Sequence, residues 1–140
     1  MKNMNIDVIT EEDQKQFSDL ITELKPEVDT KTELQSDDWL CLICNKKITT
    51  DKARFLYNDQ SEFQFINPDG FVFDIITFNS ADGCLDAGVP TIKFTWFPGH
   101  FWSYAMCSRC GSHLGWKYSG EFSFYGLIKS RLIKGAALFN

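Results

Sequence analysis

Basic character is scarce in this 140-residue chain: 14 Lys/Arg stand against 19 Asp/Glu, and no stretch gathers them into a stripe. Neutralising a phosphate backbone needs such a stripe, so nucleic acid is not an expected partner. The acidity is itself uneven, with eleven Asp/Glu against four Lys/Arg in residues 1–40 and eight against ten in residues 41–140. It belongs to an N-terminal arm on a nearly neutral body. No apolar run approaches the ~20 residues that span a bilayer, so no membrane partner is expected. Met1 to Thr10 has neither a continuous apolar region nor a small-residue cleavage site, which argues against a secretory leader and for a cytoplasmic location. Histidine is limited to His100 and His113. His100, in a Pro-Gly turn, is expected to be solvated, and His113 to support a metal ligand or sit on the surface. A Ser112-His113-acid triad has no Gly-x-Ser-x-Gly elbow behind it and is rejected. Repeats with solenoid or propeller periods are also missing.

The length suits one domain, which would bury roughly two-thirds of its unfolded surface. Residues 10–24 read as an amphipathic helix: Thr10 can cap, Phe17, Leu20, Ile21 and Leu24 form one apolar stripe, and Pro26 stops it. The expected division is an N-terminal helix and acidic linker over 1–38, a β domain over 39–133 and a tail, expected to fray, over 134–140. From Trp39 the texture is short apolar runs between turn formers, with strands predicted at Phe63–Ile66, Phe71–Phe78, Ile92–Trp96, Phe101–Cys107, Gly115–Tyr118 and Phe124–Ser130. Such spacing predicts a mainly β fold of antiparallel sheets, not βαβ units.

Cys41-Leu42-Ile43-Cys44 and Cys107-Ser108-Arg109-Cys110 are two Cys-x-x-Cys pairs separated by 62 residues. A two-residue spacer lets one tight turn aim both sulfurs at a single tetrahedral ion. Two redox motifs without a βαβ pattern would be odd, and disulfides would need a secreted chain, so one structural zinc ion on Cys41, Cys44, Cys107 and Cys110 is the expected reading. Cys84 is left over, expected as an inert thiol in a loop.

Three of the four tryptophans crowd into Phe94 to Tyr118. If both segments flanking Pro98-Gly99 are extended, Trp96 and Trp102 face one side of a sheet, and Trp116 joins them from a third segment. Three indoles converging in this way form a cage, although plain aromatic core remains the alternative.

The order Cys-x-x-Cys, Asn-Pro-x-Gly, Trp-Phe-Pro-Gly-x-x-Trp, Cys-x-x-Cys, Gly-Trp-Lys resembles the cereblon-type thalidomide-binding (CULT) domain family over residues 39–133. The resemblance implies a β-tent, in which two antiparallel sheets are pinned by a four-cysteine zinc site and one of them carries a tri-tryptophan pocket. It implies Trp96, Trp102 and Trp116 as cage walls, Phe94 and Thr95 as the segment whose main chain meets an imide, and Tyr118 as the floor. Asn67 and Pro68 would close over the ligand, and Phe73 would abut the rim. Phe94 stands where cereblon carries histidine and bacterial-type members carry phenylalanine. No Lon-like or ligase-adaptor segment is recognised, so a free-standing, non-enzymatic member is the expectation, and a ubiquitin-ligase role does not transfer.

A dry box of indoles favours uncharged rings, because a carboxylate entering it must shed water without compensation. Glutarimide-like and uracil-like rings, or a protein or peptide ending in a cyclic imide, are the expected partners. Three alternatives stand beside this. One is a cage for methylated ammonium; another is a methionine-sulfoxide-reductase-like enzyme on the same fold, using Cys84. The last is a zinc-stapled domain with an ordinary aromatic core.

Overall fold

A computed structural model describes residues 34–139. The helix expected over 10–24 lies outside the described residues. Within them the chain is mainly β, as the sequence predicts, and its nine strands form two antiparallel sheets. The smaller sheet has the order β2-β1-β9, from Lys47–Thr50, Asp38–Cys41 and Leu132–Lys134. The larger runs β3-β4-β8-β7-β6-β5, from Glu62–Ile66, Val72–Phe78, Ser123–Ile128, His113–Ser119, Phe101–Cys107 and Cys84–Thr91.

Strand alternation gives the larger sheet two different faces. One buries Ile76, Phe78, Ala105, Cys107 and Leu127 against Trp39, Cys41, Ile48 and Leu132 of the smaller sheet. The other carries Tyr118 and Phe124 under a layer of aromatic side chains, with Phe97 at its centre. The Phe97 ring is 1% exposed and meets Tyr57, Phe63, Phe65, Tyr118 and Phe124 edge-on, at centroid distances of 4.7–5.4 Å. Such pairs stabilise beyond the area they bury, by about 0.5–1.5 kcal/mol each. Phe97→Leu keeps an apolar group but forfeits all five. A loss of about 3 kcal/mol in chemical denaturation is expected, with the midpoint moving and the slope unchanged.

The structure corrects four expectations. Ile92–Trp96 is not a strand: Thr95 N–H donates back to the Ile92 carbonyl (3.2 Å) and Phe94 sits at φ 58°, so the segment folds over as a loop. Of its apolar side chains Trp96 packs on the aromatic layer, whereas Ile92 and Phe94 stay exposed. The strand instead lies earlier, at β5, where Cys84 pairs opposite Cys107 rather than sitting in a loop. β5 is an edge strand, which tolerates Pro90, and the register breaks between Ala87 and Thr91.

His100 is not solvated but 4% exposed. It accepts at Nε2 from the Phe122 N–H (3.3 Å), which leaves Nδ1–H to donate to the Pro98 carbonyl (3.0 Å). The first residues of the stretch expected to fray are tied down as well. Lys134 ends β9, Ala136 N–H donates to the Ser36 carbonyl (3.0 Å), and Lys134 Nζ meets Asp51. Asp51 also accepts from Trp39 Nε1 (2.7 Å) and Arg54 Nε (3.0 Å). Partial burial opposes its ionisation, but these donors hold its carboxyl down at about 2.

Candidate functional site: an aromatic cavity and a four-cysteine metal centre

The two Cys-x-x-Cys segments fold as the same knuckle. In the first, Asn45 N–H donates to the Cys41 carbonyl (2.7 Å) and Cys41 N–H to the Lys46 carbonyl (2.8 Å). In the second, Gly111 N–H donates to the Cys107 carbonyl (2.9 Å) and Cys107 N–H to the Ser112 carbonyl (2.8 Å). The residue after each second cysteine must turn left-handed, and Asn45 (φ 63°) and Gly111 (φ 79°) are residue types that do so at low cost. Arg109 Nη1 ties the knuckles by donating to the Cys44 carbonyl (3.3 Å).

Because Cys41 ends β1 and Cys107 ends β6, the knuckles bring one pair of sulfurs from each sheet to a common point. All four Sγ atoms lie within 4.8 Å of one another, with Cys41–Cys110 and Cys44–Cys107 at 3.6 Å. A tetrahedral ion with metal–sulfur bonds of about 2.3 Å needs sulfurs about 3.8 Å apart, so the four fit a metal ion. Ser112, rejected above as a nucleophile, places its hydroxyl 3.4 Å from Cys110 Sγ and 3.5 Å from Cys41 Sγ. That hydroxyl holds the Cys110 thiol down at about 6. Burial opposes ionisation of Cys41, yet the same hydroxyl brings it below its ordinary value.

Cys84 behaves differently. Burial, reinforced by the neighbouring Cys107 and Asp86, pushes its thiol up to about 12. It is a protonated group and a poor nucleophile at neutral pH.

On the opposite face of the larger sheet lies a cavity of about 260 Å³. β6 contributes Trp102 and Tyr104, and β7 contributes Trp116 and Tyr118, with Trp102 opposite Tyr118 and Tyr104 opposite Trp116. The loop before β6 adds Phe94 and Trp96, and the β3–β4 turn adds Asn67 and Pro68. Trp96 therefore reaches the cavity from a loop rather than from the expected strand. The Trp96 and Trp116 rings meet edge-on at 5.0 Å. Trp96 Nε1 donates to the Ile66 carbonyl (3.3 Å) and Trp102 Nε1 to the Lys93 carbonyl (2.8 Å), which fixes both ring orientations.

Asn67 spends its side chain on its own turn, where Oδ1 accepts from the Asp69 and Phe71 N–H groups (3.0 and 2.9 Å). Two residues of the expected set lie off the lining. Phe73 packs behind it, against Trp96 (6.0 Å) and Trp116 (5.6 Å), and Thr95 turns its hydroxyl to the Phe97 N–H (3.4 Å). Tyr104 was missed, although strand alternation from Trp102 points to it.

Among the described residues, no charged side chain lines the cavity. Lys117, on the adjacent register position, faces the other way to Asp86 (3.5 Å) and the Tyr125 ring. Among the described residues, the main-chain N–H and C=O of Phe94 find no protein partner.

No family model matches the chain. Cereblon from Danio rerio is 37% identical over 75 residues, which is 49% of this chain and 17% of that protein. Cereblon from Xenopus tropicalis is 36% identical over 74 residues, again 49% of this chain and 17% of the relative. Cereblon from Drosophila melanogaster is 28% identical over 110 residues, 71% of this chain and 18% of its own length. The chain carries a cereblon-type domain. It spans 17–18% of the length of these curated relatives, so the likeness concerns the domain and not the whole protein. Among the described residues of the cereblon-type domain, no helix is long and apolar enough to cross a membrane.

Proposed function

We propose that this cereblon-type domain is a non-enzymatic binding module for small, uncharged cyclic imides, and that its four cysteines hold one structural zinc ion. The observation that carries the reading is the cavity: about 260 Å³, walled by three indoles and two phenol rings and free of charged side chains. Drug-sized sites begin at about 300 Å³, so this one suits a single ring. The imide N–H and carbonyls would pair with the open main-chain groups of Phe94, Trp96, Trp102 and Trp116 would hold the ring faces, and Tyr118 would floor the site. Inside a dry box, such hydrogen bonds matter more because an unpaired polar group there is costly. A free imide or one terminating a peptide presents the same chemistry.

Two rivals lose support on particular residues. A methylated-ammonium cage gains from a carboxylate near its aromatics, and none lines this cavity. A sulfoxide reductase needs an activated thiolate, whereas Cys84 is held protonated by burial. Four thiolates close the coordination sphere of zinc, so the ion would stabilise rather than catalyse.

Titration with a fluorescent thalidomide analogue, competed by glutarimide and by its ring-opened acid, tests the reading. The neutral ring is expected to displace the probe at least ~100-fold more effectively, because the acid must desolvate a carboxylate with no cation to meet it. Failure of well-folded protein to bind the analogue, or equal competition by the acid, would refute the proposal.

A further inference from the structure

Strand alternation alone would send the side chain of His113 to the face opposite Trp116, since the two stand three positions apart. The structure does otherwise. Between Ala105 and Met106 the β6–β7 register shifts, so that Gly115 faces Ala105 but His113, not Leu114, faces Met106. The extra residue sends Leu114, fully buried, into the core between the sheets. It also turns His113 onto the cavity face, where its ring lies 5.1 Å from Trp116 and 5.3 Å from Tyr104. A bulge of this kind re-aims a side chain at the expense of a ladder hydrogen bond, and here the side chain re-aimed is a histidine.

His113 completes a belt. From Trp96 to Trp116, His113, Tyr104 and Trp102, successive rings meet edge-to-face at 5.0, 5.1, 5.3 and 5.4 Å, with interplanar angles of 80–84°. The other four line the cavity, and His113 stands behind Trp116 and Tyr104 as the piece between them. Its orientation is dictated from both sides. The Gly115 carbonyl, 2.8 Å from Nε2, can only accept, so Nε2 carries the proton. The Arg131 guanidinium, 3.3 Å from Nδ1, can only donate, so Nδ1 is unprotonated. Arg131 is anchored in turn by donating to the His113 carbonyl (2.8 Å).

We infer that His113 is a positioning residue for the cavity: held as a neutral ring with its proton on Nε2, it wedges Trp116 and Tyr104 into the spacing that receives a guest. The spacing is a property of the free protein. Its consequence for affinity rests on the cyclic-imide reading above.

Nitrogen-15 NMR of the wild-type imidazole at neutral pH tests the tautomer without ligand or mutation. Protonation at Nε2 alone is expected; protonation at Nδ1, or at both nitrogens, overturns the inference. The indole N–H resonance of Trp116, again without ligand, is expected to move in His113→Ala and to stay near its wild-type position in His113→Phe, which keeps the ring. Titration with the fluorescent thalidomide analogue is then expected to show about tenfold weaker binding for His113→Ala and near-complete recovery for His113→Phe, both variants melting cooperatively. Wild-type affinity in His113→Ala, or a His113→Phe variant as weak as His113→Ala, overturns it. If wild-type protein binds no imide, the cyclic-imide reading falls, and the two ligand-free measurements still decide the role of His113.

Discussion

With no ion on its four cysteines, the domain is expected to lose cooperative unfolding altogether. Structural zinc contributes about 10–16 kcal/mol of apparent binding free energy in zinc-finger peptides, as much as or more than the 5–15 kcal/mol of net stability typical of a whole domain. Here the sulfurs stand at the ends of β1 and β6, so a bound ion would link the two sheets beside the apolar core and the hydrogen bonds that already join them. Without the ion, four thiols lie within 4.8 Å of one another, two of them buried, and the Cys44 thiol, desolvated and crowded by the other sulfurs, is pushed up to about 11. Thiolates are what a metal binds, so acid opposes loading: affinity should fall as pH drops and protons reclaim the sulfurs. Circular dichroism melts before and after chelation, with metal content measured by mass spectrometry, check this. A verified metal-free sample that still melts cooperatively would show that the core alone suffices.

Replacing Trp102 by alanine is expected to weaken imide binding by about 100-fold or more while leaving the fold intact. Buried aromatic anchors cost about 2–4 kcal/mol when truncated, which is a factor of about 30 to 1,000. Trp102 does more than offer a ring face. Its indole N–H holds the Lys93 carbonyl (2.8 Å), and Phe94, whose main chain is proposed to meet the imide, is the next residue. Truncation would therefore remove a wall and release the segment carrying the polar groups. The side chain is only partly buried and lies outside the inter-sheet core, so the melting temperature should change little. Trp102→Phe separates the two roles: it restores the wall without the N–H, and intermediate affinity is expected. Undiminished binding by Trp102→Ala would remove the indole from the site.

The metal centre was legible because its signal is local. Two residues between cysteines specify a turn whatever the rest of the chain does, and the same holds for Asn67-Pro68-Asp69-Gly70, which makes the β3–β4 turn through its own side chain. β4 and β6 were legible because long apolar runs bounded by turn formers leave few alternatives. β5 was hidden by Gly88 and Pro90, which an edge strand accepts because its outer hydrogen bonds go unused. The strands of the smaller sheet run to only three or four residues, too short for any period to register. His100 was misjudged because a Pro-Gly turn suggests solvent, whereas Phe122 and Phe124 from the β7–β8 hairpin cover it. No local pattern carries that information. The place of His113 depends on a one-residue register shift between strands, which only pairing reveals.

The larger sheet acts as a partition, with the inter-sheet core and the sulfurs on one side and the ring layer around Phe97 on the other. A guest entering the cavity and an ion entering the knuckles therefore tighten separate compartments. Amide exchange should slow around the β3–β4 turn and residues 92–100 in response to the first, and around both knuckles in response to the second. Such separation leaves the cavity's lining largely open to replacement, residue by residue, while the link to the rivet runs through His113, Ser112 and Arg131.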